Sequence, residues 1–156
     1  MKKSLKIAIP VLVVVSLAAL AFPLSNNLAK RQIEEPLGGV SEFKPVSVIM
    51  QNKCADCHTK GKTIYPFYTN FPIAKKLIDE DVQLASENMP FNREKLLGLQ
   101  DFSRLELSKI HTVVEYGEMP PAQYKILHWD ASLTASDRKA FTSWIEAESK
   151  SRKGQR

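Results

Sequence analysis

Between residues 44 and 148, apolar residues recur at the three- and four-residue spacing of amphipathic helices. Pro45 opens the first of these helices, which runs directly into Cys54. Pro72 opens a second helix, and a short third is predicted over residues 92–99, closed by Gly98. The apolar face of the first helix consists of Val46, Ile49 and Met50, and that of the second of Ile73, Leu77, Ile78 and Val82.

Two capping signals mark the starts of two further helices. Ser103 and Glu106 form a capping-box pattern, and the helix that they open is stopped by Gly117. Thr134 and Asp137 repeat the signal before the last helix. The apolar faces consist of Ile110, Val113, Val114 and Tyr116 in the earlier helix, and of Phe141, Trp144 and Ile145 in the last one. Because no stretch alternates with a period of two, we predict an all-α fold with little sheet, in which Trp144 packs against the first helix.

The chain begins with an apolar run, Ile7 to Phe22, that follows three lysines. Basic residues before an apolar stretch are typical of export signals, and Ala19-Leu20-Ala21 fits a cleavage site. A membrane span needs about 20 mostly apolar residues, a length that residues 5–24 just reach. The sequence therefore predicts that residues 1–24 are a signal peptide or an inner-membrane anchor, and that the remaining chain is periplasmic.

The remaining chain divides into a linker, a domain and a tail. Residues 25–43 are polar, have no consistent apolar face and read as a linker. Residues 44–148 form the predicted domain, and residues 149–156 form a basic tail. The connections 59–71 and 117–133 are long for so small a domain, which indicates that something besides secondary structure supplies part of the core. A large apolar cofactor would do so.

Charge and cysteine content narrow the function classes. The chain has 22 Lys and Arg against 17 Asp and Glu, but the surplus lies at its two ends. Because the acidic residues outnumber the basic ones between residues 25 and 149, the domain itself is not a basic nucleic-acid-binding surface. The two cysteines lie three positions apart, which excludes a disulfide framework.

The motif with the most specific chemistry is Cys54-Ala55-Asp56-Cys57-His58. This is the C-x-x-C-H attachment signature of c-type haem. Two thiols three positions apart on a helical turn lie on one side, where they can bind the two vinyl groups of one porphyrin edge. The adjacent His58 then binds the iron. The predicted export agrees, because c-type haem is attached outside the bacterial cytoplasm.

Three other interpretations of the two cysteines are weaker. A thioredoxin-like redox pair requires a βαβ context that the pattern does not show. A zinc site could use both cysteines with two of His58, His111 and His128, but the usual second ligand pair is missing. A structural disulfide across this spacing would restrain little of the chain. Covalent attachment of one haem c remains the favoured interpretation.

The favoured sixth ligand of the iron is Met119, in Gly117-Glu118-Met119-Pro120-Pro121. A methionine in a proline-bounded loop is held rigidly, and a thioether opposite an imidazole raises the reduction potential, which suits electron transfer. His128, Met89 and an open or water-bound position remain alternatives, whereas His111 is more typical of a surface residue. An open position would permit peroxide or gas chemistry.

Aromatic residues follow the haem motif at Tyr65-Pro66-Phe67-Tyr68. They could wall the haem, with the hydroxyl of Tyr65 or Tyr68 reaching a propionate, or they could pack as ordinary core residues. Tyr124 and Trp129, after the Met119 loop, carry the same two interpretations.

The order of motifs resembles the haem-binding domain family of exported bacterial proteins, which is cytochrome c-like. The resemblance rests on C-x-D-C-H-T at 54–59, Tyr-Pro-Phe-Tyr-Thr-Asn at 65–70, Gly-Glu-Met-Pro-Pro at 117–121 and Leu-Thr-x-x-Asp-Arg at 133–138. It covers roughly residues 43–147, and Phe67 stands where the family is expected to have Trp. The resemblance implies an N-terminal membrane segment and a covalent haem, but it does not name a redox partner.

Two function classes follow from these motifs. The first is a monohaem electron carrier that exchanges electrons with a redox partner protein through the exposed haem edge, with Cys54, Cys57, His58 and Met119 holding the haem. The second is a haem-based enzyme or sensor, peroxidase-like or gas-binding, with a displaceable distal ligand. A di-haem peroxidase needs two C-x-x-C-H motifs, and this sequence contains only the one at residues 54–58. We therefore favour an electron carrier over an enzyme.

Overall fold

The computed structural model describes residues 2–28, 32–59 and 67–154, and this part of the chain folds into α-helices joined by loops. A 3-10 helix, Phe67–Asn70, precedes α4. The described residues contain no β-strand, only a parallel bridge between Thr59 and Phe91, so the predicted all-α class is confirmed. The α-helices are α1 Lys2–Leu28, α2 Phe43–Lys53, α3 Ala55–His58, α4 Pro72–Asn88, α5 Arg93–Leu96, α6 Arg104–Glu115, α7 Ala122–Leu127 and α8 Ala135–Gly154.

An aromatic core lies where α2, α6 and α8 pack together. The Trp144 ring lies 5.3 Å, between centroids, from the Phe43 ring of α2 and 5.3 Å from the Phe102 ring before α6. The predicted packing of Trp144 against the first helix is therefore confirmed. Tilted and edge-on aromatic pairs of this kind stabilise a core beyond the area that they bury.

The predicted helix starts are found where the capping residues stand. In α6 the Ser103 hydroxyl accepts from the Glu106 amide, and the Glu106 carboxylate accepts from the Ser103 amide at 2.7 Å. In α5 the Asn92 side chain accepts from the Lys95 amide at 2.8 Å. These local hydrogen bonds pair backbone donors that a helix leaves without partners in its first turn.

The predicted linker packs against the domain where the structure describes it. The amides of Leu37 and Gly38 both donate to the Leu97 carbonyl, at 2.9 and 3.0 Å, and Gln51 of α2 bonds to the backbone of Glu34. Hydrogen bonds therefore tie Leu37 and Gly38 to the loop after α5 and Glu34 to α2, so this segment does not form a separate spacer. Sequence composition did not indicate these contacts, because their partners lie far along the chain.

The predicted basic tail is also part of the fold. Helix α8 continues through Gly154, and Arg152 donates to the Phe102 carbonyl and pairs with Glu148. Arginine near a helix C-terminus is favoured by the helix dipole, so the basic residues extend the helix that was expected to end before them.

The N-terminal prediction concerns α1, which runs from Lys2 to Leu28. Within the described ranges, no helix combines the length and the apolar character that crossing a membrane requires. The choice between a cleaved signal and a retained anchor stays a prediction.

Candidate haem site

The haem motif lies at the junction of two helices. Helix α2 ends at Lys53, the Cys54 amide donates to the Met50 carbonyl at 2.9 Å, and α3 follows as a single turn. The amides of Cys57 and His58 both donate to the Cys54 carbonyl, at 3.3 and 3.1 Å. The two half-buried cysteines therefore flank one backbone-bonded turn, as the C-x-x-C-H spacing requires. Cys54 packs against the core, and Cys57 lines a groove on the outer side of α3.

The backbone and the ring of His58 are both held by the segment that follows α4. The Phe91 amide donates to the His58 carbonyl at 2.7 Å, and the His58 ring stacks on the Phe91 ring at 4.9 Å between centroids. The His58 Nδ1 lies 2.8 Å from the Met89 carbonyl. Because a carbonyl can only accept, Nδ1 carries the proton and donates, which leaves Nε2 with a lone pair.

Burial lowers the pKa of the His58 imidazole below its usual range, and the hydrogen bond to the Met89 carbonyl opposes this only in part. The ring is therefore neutral at physiological pH. A neutral imidazole whose other nitrogen donates to a backbone carbonyl is the form in which histidine binds a metal. The Nδ1 bond also fixes the direction of Nε2.

The groove beside α3 is bounded by α4 on one side and by α7 on the other. Including its open mouth, it holds about 740 Å³ of empty space. Leu77, Ile78 and Val82 of α4 line it, together with Leu127 of α7 and Cys57. An apolar cleft of this kind with a few polar groups at its rim is typical of a site for a large apolar ligand.

Two polar contacts hold α7 over the groove. The Tyr124 hydroxyl donates to the Asp56 carboxylate at 2.6 Å, which ties α7 to the haem motif itself. The Gln123 amide nitrogen donates to the Asp81 carboxylate of α4 at 3.1 and 3.2 Å. The His128 ring stacks on Tyr124 with 4.0 Å between centroids and a 6° interplanar angle.

The structure separates the candidates for the sixth ligand. His128 is buried, with 7% of its surface exposed, and lines the same groove as Cys57. Met119 lies in the loop before α7, is 37% exposed and is not part of the groove wall. Met89 is buried in the core and is not part of the groove wall, and its carbonyl accepts from Nδ1 of His58. His111 is exposed, in agreement with its interpretation as a surface residue.

The aromatic pair proposed as the haem wall falls largely outside the described residues. Tyr65 lies outside them, and so does the side chain of Tyr68, whose backbone belongs to the 3-10 helix. Next to His58, the Thr59 hydroxyl is buried and has no hydrogen-bond partner in the described part of the chain.

The rival zinc site is not supported. Within residues 2–28, 32–59 and 67–154, no group of three His, Cys, Asp or Glu side chains is arranged to hold a metal ion. The residues instead fit a haem, since one helical turn carries both thiols, the His58 ring is neutral with its Nδ1 bonded to the Met89 carbonyl, and an apolar groove lies beside Cys57. Cys54 and Cys57 would hold its porphyrin edge and His58 its iron.

Two features of the site were not predicted from sequence. Phe91 orients His58, but an isolated apolar residue after Met89-Pro90 gives no signal of this role. Helix α7 lies in a stretch predicted as loop, because six residues are too few to show a helical period. The available signal was Pro121, which directly precedes a run of good helix formers.

Comparisons with known proteins agree with this geometry. A family model described as a haem-binding domain matches residues 13–147. Cytochrome c peroxidase Ccp from Escherichia coli (strain K12) is 33% identical over 123 residues, which make up 77% of this chain and 26% of that protein. The chain thus spans about a quarter of the length of this curated relative. No solved structure matches the chain.

Proposed function

Because the chain belongs to the haem-binding domain family, we propose that it is a monohaem c-type cytochrome that transfers electrons outside the cytoplasmic membrane. The observation that carries this proposal is the orientation of His58, whose Nδ1 donates to the Met89 carbonyl and leaves Nε2 for iron. Cys54 and Cys57 would hold the haem through thioether bonds. When bound, the haem iron supplies one-electron exchange between the ferric and ferrous states.

The protein residues in this proposal bind and orient but perform no bond chemistry during electron transfer. The Met89 carbonyl holds the proton on Nδ1 and raises the basicity of the ligating nitrogen. Phe91 fixes the plane of the imidazole by stacking on it. The apolar side chains of α4 exclude water from the groove, which favours the less charged, ferrous form.

The sixth ligand is supplied by the segment 117–128 in this proposal. Met119 is our first candidate, because a thioether opposite imidazole gives the high potential of an electron carrier. His128 is the second, because it is buried and lines the same groove as Cys57. Bis-histidine ligation would give a lower potential.

The test of covalent haem binding is expression of the full chain together with a c-type haem attachment system. We expect the pyridine haemochrome spectrum of a haem with two thioether bonds, which shifts towards that of one bond in Cys57→Ala. A spectrum of extractable haem from the wild type, or bound zinc in place of haem, would contradict the proposal.

The sixth ligand is tested by the weak absorption band that methionine sulfur gives with ferric iron. We expect the band in the wild type and in His128→Ala, and its loss in Met119→Ala. If the band is missing from the wild type and the ferric spectrum changes only in His128→Ala, His128 is the ligand. A shift to a lower potential would accompany that result.

A second candidate function is peroxide reduction, and the observation that favours it is the match to a quarter of a cytochrome c peroxidase. A domain of this size with one haem motif could pass electrons within such an enzyme. Two measurements separate the functions: turnover of hydrogen peroxide with a reduced electron donor, and binding of carbon monoxide to the ferrous protein. An electron carrier with two protein ligands shows neither.

The proposed location outside the cytoplasm is supported by the three lysines before the apolar run of residues 7–22 and by the need to attach c-type haem after export. Cell fractionation and the intact mass of the purified protein would test it. Release into the soluble periplasm with loss of the first 21 or so residues indicates a cleaved signal. Recovery of the full-length mass with the inner membrane indicates an anchor.

A further inference from the structure

One motif of the resemblance, Leu-Thr-x-x-Asp-Arg at residues 133–138, lies outside the groove wall. The structure places it at the first turn of α8. Helix α8 packs against α2, which leads into the haem motif, and against α6, which leads into the Met119 loop. The first turn of α8 therefore lies between the two segments that would hold the haem.

The side of this turn that faces the haem motif is fixed by Asp137. Its carboxylate accepts from the Thr134 amide at 2.8 Å and from Lys53 Nζ at 2.9 Å, and Lys53 also donates to the Ser132 carbonyl at 2.8 Å. Burial alone would raise the pKa of Asp137, but the hydrogen bonds from Thr134 and Lys53 outweigh it and hold the pKa below its usual range. Lys53 directly precedes Cys54.

The side that faces the Met119 loop is fixed by Arg138. Helix α6 ends in two backbone bonds, from the Glu118 amide to the Val113 carbonyl at 3.0 Å and from the Gly117 amide to the Val114 carbonyl at 3.3 Å. These are the two bonds of a Schellman motif, with Gly117 at the left-handed position, φ 68°. The Arg138 guanidinium donates to the same Val114 carbonyl at 2.8 Å.

The guanidinium also lies against Gly117. A Cβ atom at residue 117 would meet both terminal nitrogens of Arg138 at 3.4 Å. Glycine is favoured here by the positive φ, and the contact shows that the guanidinium packs directly on this residue. Arg138 contacts the loop at the point where it leaves α6, two residues before Met119.

We propose that Arg138 is a positioning residue for the haem, which fixes the Met119 loop relative to the Cys54–His58 motif through the first turn of α8. It touches neither haem nor iron and acts through Val114 and Gly117 on one side and through the neighbouring Asp137–Lys53 pair on the other. The effect on ligation rests on the proposed function, in which this loop supplies the sixth ligand. The effect on the loop itself does not.

The experiment compares the haem-loaded wild type with Arg138→Met, Arg138→Lys and the control Lys139→Met. Lys139 is the exposed neighbour on the same helix, so its substitution removes a charge without touching the loop. The first readout is backbone amide exchange at Gly117 and Glu118 by NMR. The second is the pH at which the methionine-to-ferric-iron band is lost.

We expect the Glu118 amide to exchange roughly tenfold faster in Arg138→Met, which corresponds to about 1.4 kcal/mol of lost local stability. As the pH is raised, the band should be lost at a lower pH in Arg138→Met than in the wild type. The pH for Arg138→Lys should lie between those two values. Lys139→Met should match the wild type in both readouts. If Arg138→Met does not fold, Arg138→Lys, which keeps a donor, carries the comparison.

Equal exchange rates at residues 117 and 118 in Arg138→Met and Lys139→Met would overturn the proposal. A different result would overturn only the Met119 assignment within the proposed function: a wild type with covalent haem but no methionine band excludes Met119 as the ligand. In that case the exchange rates still decide whether Arg138 holds the loop.

Discussion

The hydrogen bond from Tyr124 to Asp56 gives a sharp test of how α7 is held over the groove. Tyr124→Phe removes one hydroxyl and keeps the ring, so the stack on His128 is preserved. The lost contact is 2.6 Å long, is partly buried and joins residues 68 positions apart. A hydrogen bond to a carboxylate contributes about 1.5–3 kcal/mol, because removing the donor leaves a charged acceptor poorly solvated.

The assay is urea unfolding of the haem-loaded protein, followed by far-UV circular dichroism. With a slope of about 2 kcal/mol per molar urea, the expected loss moves the midpoint down by roughly 1 M. Tyr116→Phe is the matched control, because Tyr116 is 76% exposed at the end of α6. Surface substitutions of this kind change stability by less than about 0.5 kcal/mol.

The reasoning is refuted if the two tyrosine variants unfold at the same urea concentration. That result would mean that the Asp56 carboxylate is as well solvated without Tyr124 as with it, and that α7 is held by its apolar contacts. A larger loss in Tyr124→Phe accompanied by a changed haem spectrum would show that the hydrogen bond also shapes the groove.

Three further predictions concern stability, each measured by urea unfolding of the loaded protein. Leu97→Ala should lower the free energy of unfolding by about 2–5 kcal/mol, because Leu97 is 1% exposed. Leu99→Ala, at a site 55% exposed, should lower it by less than about 1 kcal/mol. Equal losses in the two variants would contradict the assignment of Leu97 to the core. Gly98→Ala should cost more than about 1–2 kcal/mol, since Gly98 has φ 73° and a Cβ there would lie 2.4 Å from a backbone oxygen, while Gly154→Ala meets open space and should be neutral. The fold favours the charged form of Asp137, so its pKa is lower in the folded than in the unfolded protein, where it is about 3.8. The carboxylate therefore stabilises the fold above the unfolded pKa, and this contribution is lost as the pH falls through the folded pKa. The stability gap between wild type and Asp137→Asn should therefore shrink below about pH 4, and a constant gap would exclude the carboxylate as its source.

The helix starts were predictable because their signals are local. The Ser103–Glu106 capping box and the Thr134–Asp137 pair act within four residues, and both are found as predicted. The packing of Trp144 on α2 also followed from apolar faces that two helices had to bury. Such features depend on neighbours in sequence or on a face that has few alternatives.

The extent of the domain was not predictable in the same way. Leu37, Gly38 and Arg152 lie in segments whose compositions are typical of a linker and a tail, yet hydrogen bonds hold them to loops 50 or more residues away along the chain. Every residue has a backbone carbonyl, so the residue types of Leu97 and Phe102 do not show that their carbonyls accept these hydrogen bonds. Their availability as acceptors depends on how the loops after α5 and before α6 are arranged.

By itself the sequence determined the helical class and the chemistry of the candidate site, because the thiols and the imidazole of Cys54, Cys57 and His58 are brought together by the spacing within one turn. Only the tertiary structure decided how His58 is oriented, since its partner carbonyl belongs to Met89, 31 residues away. The groove is likewise a tertiary feature, because α4 and α7 both line it and a hydrogen bond from Tyr124 to Asp56 holds α7 to the motif. Local spacing can select the reactive groups, but only packing between distant segments can orient His58 and form the groove beside Cys57.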